Sequence, residues 1–290
     1  MVRGRSRGQR RRELAVSAAV AGVTGAFGLL IGSFLNVVIF RVPAGRSIVS
    51  PPSACGGCGI RIRPFDNVPV VSWLVLRGRC RDCSVRISPR YPMIELLTGV
   101  VFAAVALRFA PWAALEQPSI TAIGPVAETL AFAVLAAVGI ALAWIDLDTQ
   151  RLPDVIVLPS YIVVGALLAT AAAVTGEWGA LLRAAAGASI LFAAYFAMAF
   201  AYPAGMGLGD VKLAGLLGLA LGWLGWGELA VGGFGAFLLG GAFALVLVAL
   251  GRAKRGSGIP FGPWMLLAAA VAVFAGEPIW HGYLQLVGLE

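Results

Sequence analysis

Four cysteines form two closely spaced pairs in this chain, which contains no other cysteine. The pairs are Cys55-Gly-Gly-Cys58 and Cys80-Arg-Asp-Cys83, and residues 59–79 lie between them. Two such pairs supply four thiolates that can surround one ion as a tetrahedron, which is the ligand set of a structural Zn²⁺ site. The alternative is two disulfides, which closely spaced pairs form poorly. We therefore expect these four cysteines to bind zinc in a segment that folds as its own unit.

Two short polar turns between apolar runs carry aspartates. Asp146 and Asp148 precede a Leu-Pro-Asp element that ends in Asp154, and the run Gly205-Met-Gly-Leu-Gly209 leads into Asp210. Acids at membrane depth are costly, which makes them functional candidates. Two carboxylates brought together can share one proton, so that one activates water while the other polarises a peptide carbonyl. The residues therefore allow the acid–base chemistry of an aspartic protease.

Each of these acids also has a purely structural explanation. Asp154 follows Pro153 at the start of an apolar run, a pattern typical of a helix N-cap, and Asp148 could be a solvated interfacial acid. Asp210 could cap a helix that starts at Val211, with the glycines before it forming a turn. The residues alone leave both interpretations open.

Other catalytic arrangements lack their residues. His281 is the only histidine and lies near the C-terminus, where no nucleophile motif accompanies it. The glycines at 205–209 do not form a phosphate-binding loop, because Lys212 has neither the preceding glycine nor the following Ser or Thr. No G-x-G-x-x-G follows a strand, so a Rossmann-type methyl-donor site is not expected.

The composition predicts an all-α polytopic membrane protein. Of the 290 residues, 60% are hydrophobic and 12% are charged. The first apolar run is too long for a signal peptide, so we expect it to be a retained helix. Apolar runs predict about eight spans, of which 211–225 is short: 14–40, 92–110, 124–145, 155–175, 180–201, 211–225, 228–250 and 261–287.

The basic residues predict the orientation of these spans. Nine arginines lie in the segment 41–91, and placing that segment in the cytoplasm puts 145–154, 202–211 and 251–260 there too. That side then also holds Arg151, Lys212, Arg252, Lys254 and Arg255. Six N-terminal arginines contradict this orientation: Arg3, Arg5, Arg7, Arg10, Arg11 and Arg12. We nevertheless prefer the cytoplasmic placement of 41–91, because a reducing cytosol keeps the cysteines as thiols that can bind metal. The basic clusters suit anionic lipid, and no nucleic-acid-binding motif accompanies them.

Several motifs, in order and with matching membrane spacing, resemble those of bacterial type IV prepilin peptidases. These are bifunctional leader peptidases and N-methyltransferases whose membrane aspartic protease carries a GxGD motif. The motifs are GSFLNVVIFRVP at 32–43, the paired cysteines enclosing DNVPVVSWLVLRG at 66–78, ISPRYPMIELLTG at 87–99, the Leu-Pro-Asp element and GLGD at 207–210. The first cysteine pair departs from the family, which has a proline after its first cysteine.

The resemblance implies specific roles for the two acids. Asp146 lies seven residues before the proline of the Leu-Pro-Asp element and becomes the first catalytic acid, and Asp210 becomes the second. We expect them to alternate as base and acid around one water. Asp148 would project from a nearly opposite helix face and is disfavoured.

The resemblance also implies the substrate, the methyl donor and the location. Substrates are prepilins or pseudopilins with a short basic leader ending in Gly, cut on the cytoplasmic side of the bacterial plasma membrane. The new N-terminal residue is then methylated with S-adenosylmethionine, for which Asn36 and Glu95 are candidate binding residues. The expected organisation is a basic N-terminus and first span (1–40), a zinc-binding and methyltransferase segment (41–91) and a peptidase region (92–290).

Three other functions remain to be weighed at this stage. A non-catalytic assembly factor with a zinc ribbon would leave Asp146 and Asp210 without a role. A transporter that uses both acids as a proton relay would place them near the middle of the bilayer, whereas both lie at one interface. A peptidase without methylation would have no evident need for the four-cysteine segment.

Overall fold

The structure is a computed structural model that describes residues 7–109, 122–203, 205–251 and 260–289. The chain divides into two compact units, Met1–Ala141 and Leu142–Glu290. Several of the basic residues used to predict orientation lie outside the described residues: Arg3, Arg5, Arg252, Lys254 and Arg255.

Helices dominate the described residues, as predicted. They are α1 (Arg7–Arg41), α2 (Val71–Val75), α3 (Arg90–Phe109), α4 (Ile123–Thr149), α5 (Asp154–Thr175), α6 (Trp178–Ala201), α7 (Leu208–Leu224), α8 (Trp226–Ala249) and α9 (Gly262–Leu286), with a 3₁₀ turn at Pro64–Asn67. Seven of them are long and apolar enough to cross a membrane. The remaining long helix, α7, has 17 residues and corresponds to the short span predicted at 211–225. The cysteine segment lies between the first two spans, which confirms the predicted fold class.

The end of α4 differs from the expected span boundary. The helix continues past residue 145 to Thr149, so Asp146 and Asp148 lie in its last turns and not in the connecting turn. The prediction that Asp154 caps α5 is wrong. Pro153 occupies the cap position, Asp154 is the first helical residue, and its two carboxylate oxygens each accept a hydrogen bond from Lys212 Nζ at 2.8 Å. A carboxylate in this first turn still suits the helix dipole.

Small residues bring α1 and α3 together in the first unit. A methyl group built on Gly32 would lie 2.6 Å from Glu95 Cα, and one on Gly28 would lie 2.8 Å from the carbonyl oxygen of Thr98. Both distances are too short for any side chain, so the two helix backbones approach as closely as glycine permits. This is how apolar helices associate where lipid removes the hydrophobic driving force.

Helix α7 is the centre of the second unit. It packs against α5, α6, α8 and α9, and Leu213, Leu216 and Leu221 are almost fully buried. Arg183 of α6 holds its C-terminal end, donating hydrogen bonds to the carbonyl oxygens of Gly222 and Trp223 at 2.8 Å each. A cation at this position also complements the negative end of the helix dipole. The opposite, N-terminal end of α7 carries Asp210.

Candidate functional site

Asp146 is a buried carboxylate that one backbone amide holds in place. It follows the fully buried Ile145 on α4, and only 5% of its surface is exposed. Its Oδ2 accepts a hydrogen bond from the N–H of Gly262 at 3.0 Å. Gly262 is the first residue of α9, where backbone amides have no partner within the helix and the dipole favours negative charge. The start of α9 therefore positions the Asp146 carboxylate.

Asp210 is held in a similar way by the start of α7. The helix begins at Leu208 and not at Val211, so Asp210 is its third residue and not its cap. Its Oδ2 accepts a hydrogen bond from the N–H of Gly207 at 3.1 Å. This is the half of a capping box in which an acid at the third position bonds back to the cap residue. The structural explanation and the functional one thus apply to the same carboxylate.

The segments that carry the two acids meet around Leu152. A methyl group built on Gly209 would lie 3.0 Å from Leu152 Cβ, and one built on Gly262 would lie 3.4 Å from Leu152 Cδ2. One leucine side chain thus contacts the residue before Asp210 and the residue that binds Asp146. Two acids that lie 64 positions apart in sequence are therefore brought to one place within the second unit.

Asp148 does not share this environment. It lies two residues after Asp146 on α4, where the helical repeat turns its side chain to a different face, and it is exposed. Its position agrees with the expectation that it is not one of the paired acids.

Gly262 and Tyr195 belong to the surroundings of the acids but were not among the predicted site residues. The run Phe261-Gly-Pro263 contained a signal for Gly262, since proline favours the first turn of a helix and therefore marks a helix start. Tyr195 lies in the interior of α6, is 3% exposed and donates its hydroxyl hydrogen to the carbonyl oxygen of Gly233 at 3.1 Å. Its ring centroid lies 6.3 Å from that of Phe261, the residue before Gly262. Nothing in the local sequence of α6 distinguishes Tyr195 from a core residue.

The four cysteine sulfurs converge in the first unit, and none of them forms a disulfide. Their Sγ atoms all lie within 4.8 Å of one another, with Cys55 and Cys83 at 3.7 Å. A tetrahedron with Zn–S bonds of about 2.3 Å has sulfur–sulfur edges of about 3.8 Å. Four sulfurs at these distances fit a zinc ion.

The two cysteine pairs lie in knuckles that repeat one backbone pattern. The N–H of Cys55 binds the carbonyl of Ile60, and the N–H of Cys80 binds the carbonyl of Val85, both at 2.9 Å. Each knuckle then needs a left-handed residue four positions after its first cysteine, which is Gly59 in one and Ser84 in the other, with φ of 72° and 59°. Serine is rare at such a φ, so this repeat was hidden in the sequence.

Two ion pairs tie the second knuckle to the 3₁₀ turn. Arg81 donates to both carboxylate oxygens of Asp66 at distances of 2.6–3.0 Å, and Arg63 donates to Asp82 at 3.0 Å. The hydrogen bonds from Arg81 hold the pKa of Asp66 below its usual range. A valine from the second knuckle also packs on the first, since a methyl group built on Gly57 would lie 3.0 Å from a Val85 methyl. The Cys-Gly-Gly-Cys sequence therefore suits the packing between the knuckles.

The two candidate methyl-donor residues already have protein partners. Asn36 donates its side-chain amide to the carbonyl of Tyr91 at 3.2 Å. Glu95 Oε2 accepts the N–H of Val70 at 2.7 Å, and the same carboxylate interacts with Ser33. Both residues are buried and bind α1, α3 and α2 to one another. These contacts are structural, and they do not assign either residue to a methyl donor.

Comparisons with known proteins match nearly the whole chain. The model of the Bacterial Peptidase A24 N-terminal domain matches residues 26–109, and the model of the Type IV leader peptidase family matches residues 133–274. A curated protein of Aeromonas hydrophila named prepilin leader peptidase/N-methyltransferase is 35% identical and spans 89% of this chain and 91% of its own length. Proteins of the same name from Neisseria gonorrhoeae and Pseudomonas aeruginosa are 35% and 33% identical, over 88% and 91% of this chain and 90% and 93% of their own lengths. No solved structure matches the chain.

Proposed function

Because the chain belongs to the type IV leader peptidase family, we propose that it is a membrane aspartic endopeptidase. It removes the short basic leader of prepilins or pseudopilins after a glycine and N-methylates the new N-terminal residue. The observation that carries the proposal is that Leu152 contacts both Gly209, which precedes Asp210, and Gly262, whose N–H binds Asp146. Each acid also has one carboxylate oxygen bound by a backbone amide at a helix start.

The geometry suggests how the two acids would divide the reaction. The N–H groups of Gly262 and Gly207 bind Oδ2 of each acid, so Oδ1 is the oxygen that would meet water and substrate. One ionised carboxylate takes a proton from water, and the resulting hydroxide adds to the carbonyl carbon of the scissile peptide. The other acid is protonated and polarises that carbonyl by hydrogen bonding to its oxygen. It then gives its proton to the departing amine as the C–N bond breaks. The acids have exchanged protonation states at the end of the cycle.

The proposed active site faces the cytoplasm. Asp146 lies at the C-terminal end of α4 and Asp210 at the N-terminal end of α7, and both ends adjoin turns that the charge distribution assigns to the cytoplasmic side. A substrate whose apolar helix lies in the bilayer would present its basic leader on the same side. The location is the bacterial inner membrane, in agreement with the seven apolar helices.

Cleavage of a co-expressed prepilin tests the catalytic assignment. The variants are Asp146→Asn and Asp210→Asn, with Asp148→Asn as a matched control two residues away on the same helix. Mass spectrometry of the product's N-terminus should show cleavage after glycine and a methylated residue for the wild type and the control, and uncleaved prepilin for the other two. Cleavage retained in either of these two variants would contradict the proposal that Asp146 and Asp210 act as a catalytic pair, and would favour the non-catalytic assembly factor.

Zn²⁺ is the ion we propose for the four thiolates. When bound, it would supply structural cross-linking of the two knuckles and no catalytic chemistry, since four protein ligands leave it no open position. Metal analysis of the purified protein should give about one zinc per chain, and Cys58→Ser should lower it. Iron in place of zinc, or full metal content in the variant, would refute this assignment.

Methyl transfer and the division of labour along the chain rest on the relatives' names and the resemblance. The methyl donor is proposed to be S-adenosylmethionine, and the segment 41–91 is proposed to take part in methylation while 92–290 carries the peptidase. Asn36 and Glu95 are held by contacts within the protein and are not proposed to bind the donor. A product that is cleaved but never methylated would remove this part of the proposal and leave the peptidase intact.

A further inference from the structure

An apolar patch in the cysteine segment has no covering among the described residues. It consists of Phe65, Val68, Val71, Leu74 and Val75, whose side chains are between 46% and 71% exposed. Three of them lie on α2 at positions i, i+3 and i+4, which share one face of a helix. Clusters of large apolar side chains on a polar segment mark contact with a membrane or a partner.

The depth of this patch is set by two contacts of Glu95. The Glu95 carboxylate accepts a hydrogen bond from the N–H of Val70, the residue before α2. Glu95 itself lies five residues inside α3, about 7.5 Å from Arg90 along the helix axis. It also interacts with Ser33, which lies eight residues, about 12 Å, before the end of α1. Helix α2 therefore begins beside the interior of two predicted spans and not beyond their ends.

The apolar surface of α1 continues past this level. Phe34 and Phe40 are 47% and 64% exposed, and Phe40 is the residue before the last of the helix. Lipid that covers Phe40 would also reach the level at which Val70 contacts Glu95. The exposed face of α2 thus lies at a depth where its surroundings are acyl chains or headgroups.

The charges around the patch match an anionic surface. The segment 41–91 contains nine arginines and two acids, Asp66 and Asp82, and both acids are paired with arginines of the same segment. Arg77 and Arg79 follow α2 directly and are exposed. Apolar side chains at the interface flanked by arginines are the pattern of interfacial anchors on anionic lipid.

We propose that the patch formed by residues 65–75 is an interfacial anchor that inserts into the anionic leaflet beside α1 and α3. It would hold the zinc knuckles against the membrane, since Arg81 and Asp66 join the knuckle to the 3₁₀ turn at the start of the patch. This inference does not depend on the catalytic roles of Asp146 and Asp210. A partner protein on the same face is the competing outcome.

Photo-crosslinking in nanodiscs tests the anchor directly. The photoreactive residue p-benzoylphenylalanine replaces Leu74 or, in a second protein, Val75, and in a matched control it replaces Ile60. Ile60 is 46% exposed but lies on the first zinc knuckle, outside the patch. The full-length protein is reconstituted in phosphatidylethanolamine with phosphatidylglycerol, and zinc content is measured to show that each variant is folded.

Lipid adducts on the intact protein should be several-fold more abundant at Leu74 and Val75 than at Ile60. Replacing phosphatidylglycerol by phosphatidylcholine should lower the yield at Leu74, because the flanking arginines then lose their anionic partners. Equal yields at the patch and at Ile60, or no lipid adducts at either patch position, would overturn the proposal. So would crosslinks from Leu74 that join two protein chains in place of lipid.

Discussion

Replacing Gly262 by alanine tests whether a backbone amide at the start of α9 positions Asp146, the proposed catalytic acid. The added methyl group would lie 2.8 Å from Asp146 Oδ2, whereas ordinary contacts begin at 3.4 Å. The carboxylate must therefore move by about 0.6 Å, the difference between these two distances, which is as large as the tolerance of a catalytic geometry. The hydrogen bond from the Gly262 N–H to Asp146 lengthens or breaks as a result.

The expected cost follows from that hydrogen bond. A hydrogen bond to a charged group contributes about 1.5–3 kcal/mol, and each 1.4 kcal/mol lost in the transition state lowers the rate about tenfold. We therefore expect Gly262→Ala to reduce kcat for prepilin cleavage by about 10- to 100-fold with little change in KM, because the role proposed for Asp146 is at the scissile bond and not on the substrate helix.

The assay measures cleavage of a purified prepilin in detergent or nanodiscs over a range of substrate concentrations. Gly241→Ala is the matched control, because it also adds a methyl group to a helix of the second unit but meets nothing within 4 Å. Thermal unfolding of both variants separates a positional effect from a folding defect. A Gly262→Ala protein with wild-type stability and wild-type kcat would refute the reasoning.

Three further predictions concern stability. Arg183→Met should destabilise the second unit by about 1–3 kcal/mol, because the carbonyls at the end of α7 lose their donor, and an unchanged Tm in detergent would contradict it. Gly215→Ala should also lower the Tm, since its methyl group collides with the Tyr161 hydroxyl. Adding Tyr161→Phe should restore part of that loss, and no restoration would show that the clash lies elsewhere. Ser84→Gly should stabilise the second knuckle by about 1 kcal/mol and slow zinc transfer to a chelator, whereas Gly59→Ser should speed it.

The helical membrane architecture and the cysteine cluster could be predicted because both depend on local pattern. Runs of apolar residues long enough to span a bilayer have few alternatives to helix, since lipid leaves no other way to pair backbone groups. The paired cysteines required only that two turns approach each other, which a shared ion would favour. The backbone pattern shared by the two knuckles could not be predicted from the sequence, because the left-handed position that is Gly59 in the first knuckle is Ser84 in the second.

The boundaries of the helices were harder to predict from the sequence. Asp146 was expected in a turn and lies in a helix, because α4 continues to Thr149 and ends where Gln150 adopts a φ of 52°. The apolar run that suggested the boundary ends earlier than the helical hydrogen bonding does. Asp154 was expected to cap α5, but a lysine 58 positions away takes its carboxylate instead. Local sequence preferences cannot predict a side-chain partner, such as Lys212, that comes near only when the chain folds.

The sequence by itself determined the candidate residues: two acids beside apolar runs, four thiols in two pairs, and a set of motifs that together resemble one family. The tertiary structure decided how those groups are held. Gly262 binds Asp146 from 116 positions away, and Leu152 joins the two acid-bearing segments. Glu95 draws α2 to the depth of the spans. Each of these contacts depends on helix packing, in which the distance between two residues is unrelated to their separation along the chain.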